Sequence, residues 1–146
     1  MKGEDQDTQE KDKKAADANE WKIATKRKPT KAQLESAVFG WKLIKYVRSN
    51  AMLLVKGTRT VGIGCGQTSR VESTVTAIKK AGKQAKGSVL VSEAFIPKTD
   101  NVVLAVKAGI SLIVQSGGSI ADEEVVKAAD KAKIAMVMTG VRHFKH

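Results

Sequence analysis

At 146 residues, 42% of them hydrophobic, the chain has the length and composition of one globular domain, and its single cysteine, Cys65, excludes an intramolecular disulfide framework. No apolar run nears the roughly 18 residues that cross a bilayer, the charged N-terminus shows no signal peptide, and two histidines without a C-x-x-C leave no metal-ligand set, so a cytoplasmic, metal-free protein is expected. The net charge of +11 is carried by 21 lysines and only five arginines, with few aromatics, which reads as solvated faces and makes nucleic acid an unexpected partner.

Residues 1–20 are polar and charge-mixed, with four lysines against seven acids, and are expected to be a disordered charged leader to a domain spanning 21–146. Residues 21–25 alternate apolar and polar, as a brief edge strand would. A basic loop follows, and Pro29 holds its predecessor extended. Thr30 with Gln33 makes a capping box, opening an amphipathic helix to about Tyr46 whose aromatic residues face a core. Residues 51–55 read as a buried strand, and 56–59 turn it into a second, antiparallel strand at 60–64. Glycines at 62, 64 and 66 imply that something approaches the backbone closely there. A helix capped near Ser69 then runs from about Arg70 to Ala81.

Beyond a lysine-rich loop at 82–87 the pattern repeats: strands at 88–91, 111–114 and 134–138, and helices at 101–108, ending at Gly109, and 121–132. Asp122, Glu123 and Glu124 suit the positive end of the last helix. Alternating strands and helices predict parallel pairing with crossovers. The fold class is therefore α/β, a three-layer α/β/α sandwich on a mixed sheet with one antiparallel hairpin strand.

Ligands in such sheets bind beyond the carboxyl ends of the strands, and three of those ends carry unusual chemistry. Asn50 and Arg70 bracket the first; if 51–64 is a hairpin, an amide, a guanidinium and bare N–H groups surround one pocket suited to an anionic, hydrogen-bonding ligand such as a nucleotide. The second is the polar loop 92–100, where Phe95 is either a hydrophobic plug or a ligand clamp. The third is 115–119, whose N–H groups at a helix start could hold an anion. Residues 62–66 do not fit G-x-G-x-x-G, so no dinucleotide fingerprint is present. Cys65 lacks a His–acid partnership and is not expected to be a nucleophile.

Five separated motifs in order, residues 21–30 (WKIATKRKPT), 41–50 (WKLIKYVRSN), 62–70 (GIGCGQTSR), 117–124 (GGSIADEE) and 139–146 (TGVRHFKH), resemble the C-terminal part of the bifunctional purine-biosynthesis enzymes AICAR transformylase/IMP cyclohydrolase. The resemblance covers about residues 21–146. It implies a cytidine-deaminase-like fold without the deaminase zinc site, and a part in formyl transfer from 10-formyltetrahydrofolate to AICAR. It also implies nucleotide contacts at Asn50, Arg70, Arg142 and Phe144, and folate contacts at Val71, Phe95, Asp100, Ser119 and Ile120. Cys65 stands where alanine is usual, Ser116 where proline is frequent, and Ile96 and Lys98 where aromatics flank Phe95.

The Lys-His pair that supplies the family's general base belongs to a preceding homologous half. No catalytic residue is therefore expected in this chain, His146 in the terminal motif being the one candidate. The implied role is the second half of a formyltransferase site, completed by a protein partner or by a second copy in a homodimer. The alternative is a non-catalytic nucleotide-binding or regulatory module that keeps the fold.

Overall fold

The structure, a computed structural model, describes residues 18–141. Six strands form one sheet: β1 (Lys22–Ile23), β2 (Met52–Lys56), β3 (Arg59–Gly64), β4 (Val89–Ser92), β5 (Leu112–Gln115) and β6 (Ala135–Met138). Four helices connect them: α1 (Lys31–Ile44), α2 (Arg70–Ala81), α3 (Asp100–Ala108) and α4 (Asp122–Lys131). The expected leader ends differently from the reading above: Ala18–Glu20 form a 3-10 turn, with Ala18 packed on the core. The rest of that segment lies outside the described residues.

The strand order is β1-β6-β5-β4-β2-β3. β4, β5 and β6 are parallel, as expected of strands joined by helical crossovers. β2 runs against both neighbours, β3 and β4, and β1 runs against β6. Two strands thus oppose the rest, where a single hairpin strand was expected. The second is the brief edge strand expected within 21–25, whose residues 22–23 reach the open edge of β6 and pair with it antiparallel.

Strands β2, β4 and β5 read as continuous apolar runs because both faces are covered. Met52, Leu54, Leu90, Ile113 and Met136 point into one core with residues of α2, α3 and α4. Leu53, Val55, Val89, Val91, Leu112 and Val114 point into the other with Ala37, Trp41 and Ile44 of α1. Trp21 closes this second core, edge-on to Trp41 with centroids 6.2 Å apart. Gly40 lets α1 settle on the sheet, since a Cβ there would come within 2.7 Å of Val91 Cγ2.

The local signals are realised. Thr30 Oγ1 accepts the Gln33 N–H at 3.1 Å and Gln33 Oε1 accepts the Thr30 N–H at 3.0 Å. Ser69 caps α2 by accepting the Glu72 N–H at 3.2 Å. Gly109 ends α3 in the left-handed conformation, φ 77°. The loop after α2 carries a 3-10 turn, Gly82–Ala85.

The close approach implied by Gly62 and Gly64 is made by α2. A Cβ at Gly62 would collide with the Ala77 carbonyl, and one at Gly64 with the Ser73 carbonyl. These glycines let a helix lie directly on an edge strand.

Candidate functional site

Because β2 is reversed, its start lies at the same sheet edge as the carboxyl ends of β3, β4, β5 and β6. Met52 pairs with Gly64 and Ser92, and Gln115 with Met138. One rim therefore collects Asn50, residues 65–70, Ser92 to Asp100, Gln115 to Ile120 and Thr139 to Val141. Backbone bonds tie the loops together: Gly66 N–H to Arg48 O at 3.1 Å, Ser116 N–H to Ala94 O at 3.3 Å, and Gly140 N–H to Ser116 O at 3.0 Å.

Asn50 and Arg70 meet as the hairpin geometry requires. Arg70 Nη2 donates to Asn50 Oδ1 at 3.0 Å. The Asn50 amide donates to Gln67 O at 3.1 Å, and Ser73 Oγ donates to Asn50 O at 2.5 Å. The Ser49–Asn50 peptide bond is cis. The guanidinium is not an open cation, however. It is 9% exposed, Nη1 donates to Ser92 Oγ at 3.3 Å, and Nη2 lies 3.3 Å from Glu93 Oε1. Burial pulls the Arg70 pKa below its ordinary value, and the adjacent Glu93 carboxylate opposes that shift. The pocket is thus polar and directional, and the Arg70 guanidinium is already paired.

Glu93 was not among the expected site residues. It is fully buried and also accepts from Ser49 Oγ at 2.8 Å and the Ala51 N–H at 3.0 Å. The available signal was its position, one residue beyond an apolar strand at the sheet edge where a ligand was expected.

A second part of the rim is a cavity of about 290 Å³ lined by Phe95, Ser116, Gly117, Gly118 and Gly140. Phe95 is half-buried on its wall, whereas Ile96 next to it is fully buried in the core and makes no surface for a ligand. Ile96 is held there by its N–H donating to Gln115 Oε1 at 2.8 Å. The free N–H groups expected at 117–119 are corrected: Gly118 and Ser119 donate to the Asp122 carboxylate at 2.7 and 3.1 Å. A side chain four residues on has taken the place of an external anion.

Val71 is half-buried beside Arg70, Asp100 is exposed in the first turn of α3, and Ser119 is half-buried. Ile120 is fully exposed, at 106% of its reference area. Arg142, Phe144 and His146 lie outside the described residues, as does His143. Cys65 is exposed. Among the described residues no cluster of His, Cys, Asp or Glu could hold a metal ion, and no helix is long and apolar enough to cross a membrane.

This is a mixed α/β domain with a composite, polar rim at its strand ends. It belongs to the AICARFT/IMPCHase bienzyme family, whose profile matches residues 6–80. Among curated relatives, the bifunctional purine biosynthesis protein PurH of Halalkalibacterium halodurans is 53% identical over 138 residues, covering 94% of this chain and 27% of that protein. PurH of Thermoanaerobacter sp. is 51% identical over 138 residues with the same coverage, and that of Sorangium cellulosum 52% over 139 residues, again 94% and 27%. The chain spans about a quarter of the length of these relatives. Among solved structures, Acinetobacter baumannii RibD matches with a TM-score of 0.45 at 17% identity, over 67% of this chain and 32% of that one; the likeness is too loose to add to the fold.

Proposed function

We propose that this chain is the second half of an AICAR formyltransferase site. It binds and orients AICAR and 10-formyltetrahydrofolate, while a partner that carries the Lys-His half completes the site. The observation that carries the reading is the Asn50–Arg70 contact at the strand-end rim, two family-motif residues brought from 20 positions apart to 3.0 Å. Membership of the bienzyme family supplies the substrate class. The sandwich with α1 on one face and α2–α4 on the other is, on this reading, of the cytidine-deaminase-like type, and its setting is the cytoplasm.

Asn50 and Arg70 contact the nucleotide. Phe95 and the cavity beneath it, with Val71, Asp100, Ser119 and Ile120 around the rim, border the folate; Arg142 and Phe144 complete the nucleotide contacts. Holding both substrates in line lowers the barrier by removing their freedom of orientation. Glu93 is buried and committed to Arg70, Ser49 and Ala51, and the general base comes from the Lys-His half.

Calorimetry with AICAR, followed by formyl-transfer assays with and without a Lys-His-bearing half, tests this. Binding without turnover, and turnover on adding the other half, is expected. Turnover by the chain alone would sink the half-site assignment. Binding with no rescue would favour the non-catalytic nucleotide module, and no binding at all a structural remnant.

A further inference from the structure

We propose that Glu93 is the positioning residue of this edge: it fixes the Arg70 guanidinium against Asn50 and cancels its charge, so the pair meets a ligand with directed hydrogen bonds instead of an unpaired cation. The inference rests on reading Asn50 and Arg70 as ligand contacts.

One carboxylate holds both. Its Oε1 accepts the Ala51 N–H at 3.0 Å and lies 3.3 Å from Arg70 Nη2, and its Oε2 accepts from Ser49 Oγ at 2.8 Å. Ser49 and Ala51 flank Asn50, so the backbone on both sides of the amide is tied to the group that aims the guanidinium. The same Nη2 bridges to Asn50 Oδ1 at 3.0 Å. An arginine has five N–H donors in a rigid plane; Ser92, Asn50 and Glu93 fix the orientation of that plane. Both side chains of the ion pair are nearly inaccessible, at 8% and 1%, so solvent screens their attraction little and they act as one neutral unit. A pair needed only for stability could be replaced by apolar residues of similar volume. This one sits at the rim and holds two ligand contacts.

The test uses the 146-residue chain with Glu93→Gln, which keeps the shape and removes the charge, and Glu93→Asp, which keeps the charge and shortens the reach. Nitrogen-15 NMR reads the Arg70 guanidinium without ligand, with AICAR and with inorganic phosphate, and calorimetry reads AICAR affinity. Resolved, slowly rotating Arg70 Nη signals are expected in the wild type and averaged ones in Glu93→Gln. AICAR affinity falls about tenfold in Glu93→Gln, the cost of one charge-assisted hydrogen bond, and recovers in part in Glu93→Asp. Inorganic phosphate shifts the Arg70 signals only in Glu93→Gln.

Unchanged Arg70 signals and AICAR affinity in Glu93→Gln would overturn the proposal, as would phosphate shifting Arg70 in the wild type. Should Glu93→Gln not fold, Ser49→Ala removes one restraint and leaves the pair intact. The Asn50 amide signals then shift and affinity falls about threefold; no change overturns the proposal. If no variant binds AICAR, wild type included, but Arg70 still loosens in Glu93→Gln, the substrate reading fails and the positioning role stands.

Discussion

Removing either half of the Arg70–Glu93 pair leaves a charge stranded where water hardly reaches. Arg70→Ala keeps Glu93 bonded to Ser49 and Ala51 but takes away its counter-ion, so a loss of about 3 kcal/mol is expected in urea denaturation. Asn50→Ala strands no charge; its stability should change by about 1 kcal/mol, with the larger effect in AICAR calorimetry. The contrast between the two variants separates a folding role from a binding role. Asn50 and Arg70 were legible in the sequence because both sit in family motifs at the ends of a recognisable hairpin. Glu93 was not, since a glutamate reads as solvent-facing by default. Its burial comes from a guanidinium 23 positions away, a pairing that no local pattern announces.

At the level of elements, the local signals were readable and the question of which neighbour approaches was not. The Thr30–Gln33 capping box depends on residues three apart and was visible directly. Thr30→Ala should cost about 1 kcal/mol, read as a lower thermal midpoint. Gly62 and Gly64 announced a close approach correctly, but a missing Cβ does not say what fills its space. Helix α2 does, its carbonyls lying against β3. Gly64→Ala should therefore destabilise by roughly 1–3 kcal/mol through overpacking, and bound AICAR should restore none of that difference between mutant and wild type. A midpoint gap that closes on adding AICAR would mean the glycine serves the ligand after all. The turn at 117–119 differs from expectation for a related reason. Asp122 stands in the first turn of α4 as its charge suggests, and its carboxylate also reaches back to the Gly118 and Ser119 N–H groups. Asp122→Asn keeps only part of that pairing and is expected to loosen the Ser119 backbone, seen as faster amide exchange at Gly118 and Ser119.

For the whole molecule, the alternation of strands and helices showed the α/β class and the parallel β4-β5-β6 core. The alternation at 21–25 announced an edge strand but not its direction, because its partner β6 is more than 100 positions away. The half-site assignment belongs at this scale. The rim holds hydrogen-bonding groups and a cavity, while both histidines lie outside the described residues. The chain covers 27% of its relatives. Mixing it with the complementary half should produce formyl transfer that neither produces alone, with activity saturating as the second component is titrated in. A rate that stays proportional to this chain alone would count against it.

The reversal of β2 has a consequence for how this molecule can be monitored. It places in one rim groups that the sequence scatters, such as Ser49 and Glu93, 44 positions apart, and Arg48 O with the Gly66 N–H. No short stretch of sequence carries that rim, so a ligand there requires β2 paired with both β3 and β4. A ligand of the rim is therefore a selective probe of the finished chain. At a hundred times its dissociation constant it would deepen the native well by about 2.7 kcal/mol, and in a refolding experiment its binding would report the pairing of β2 with its neighbours.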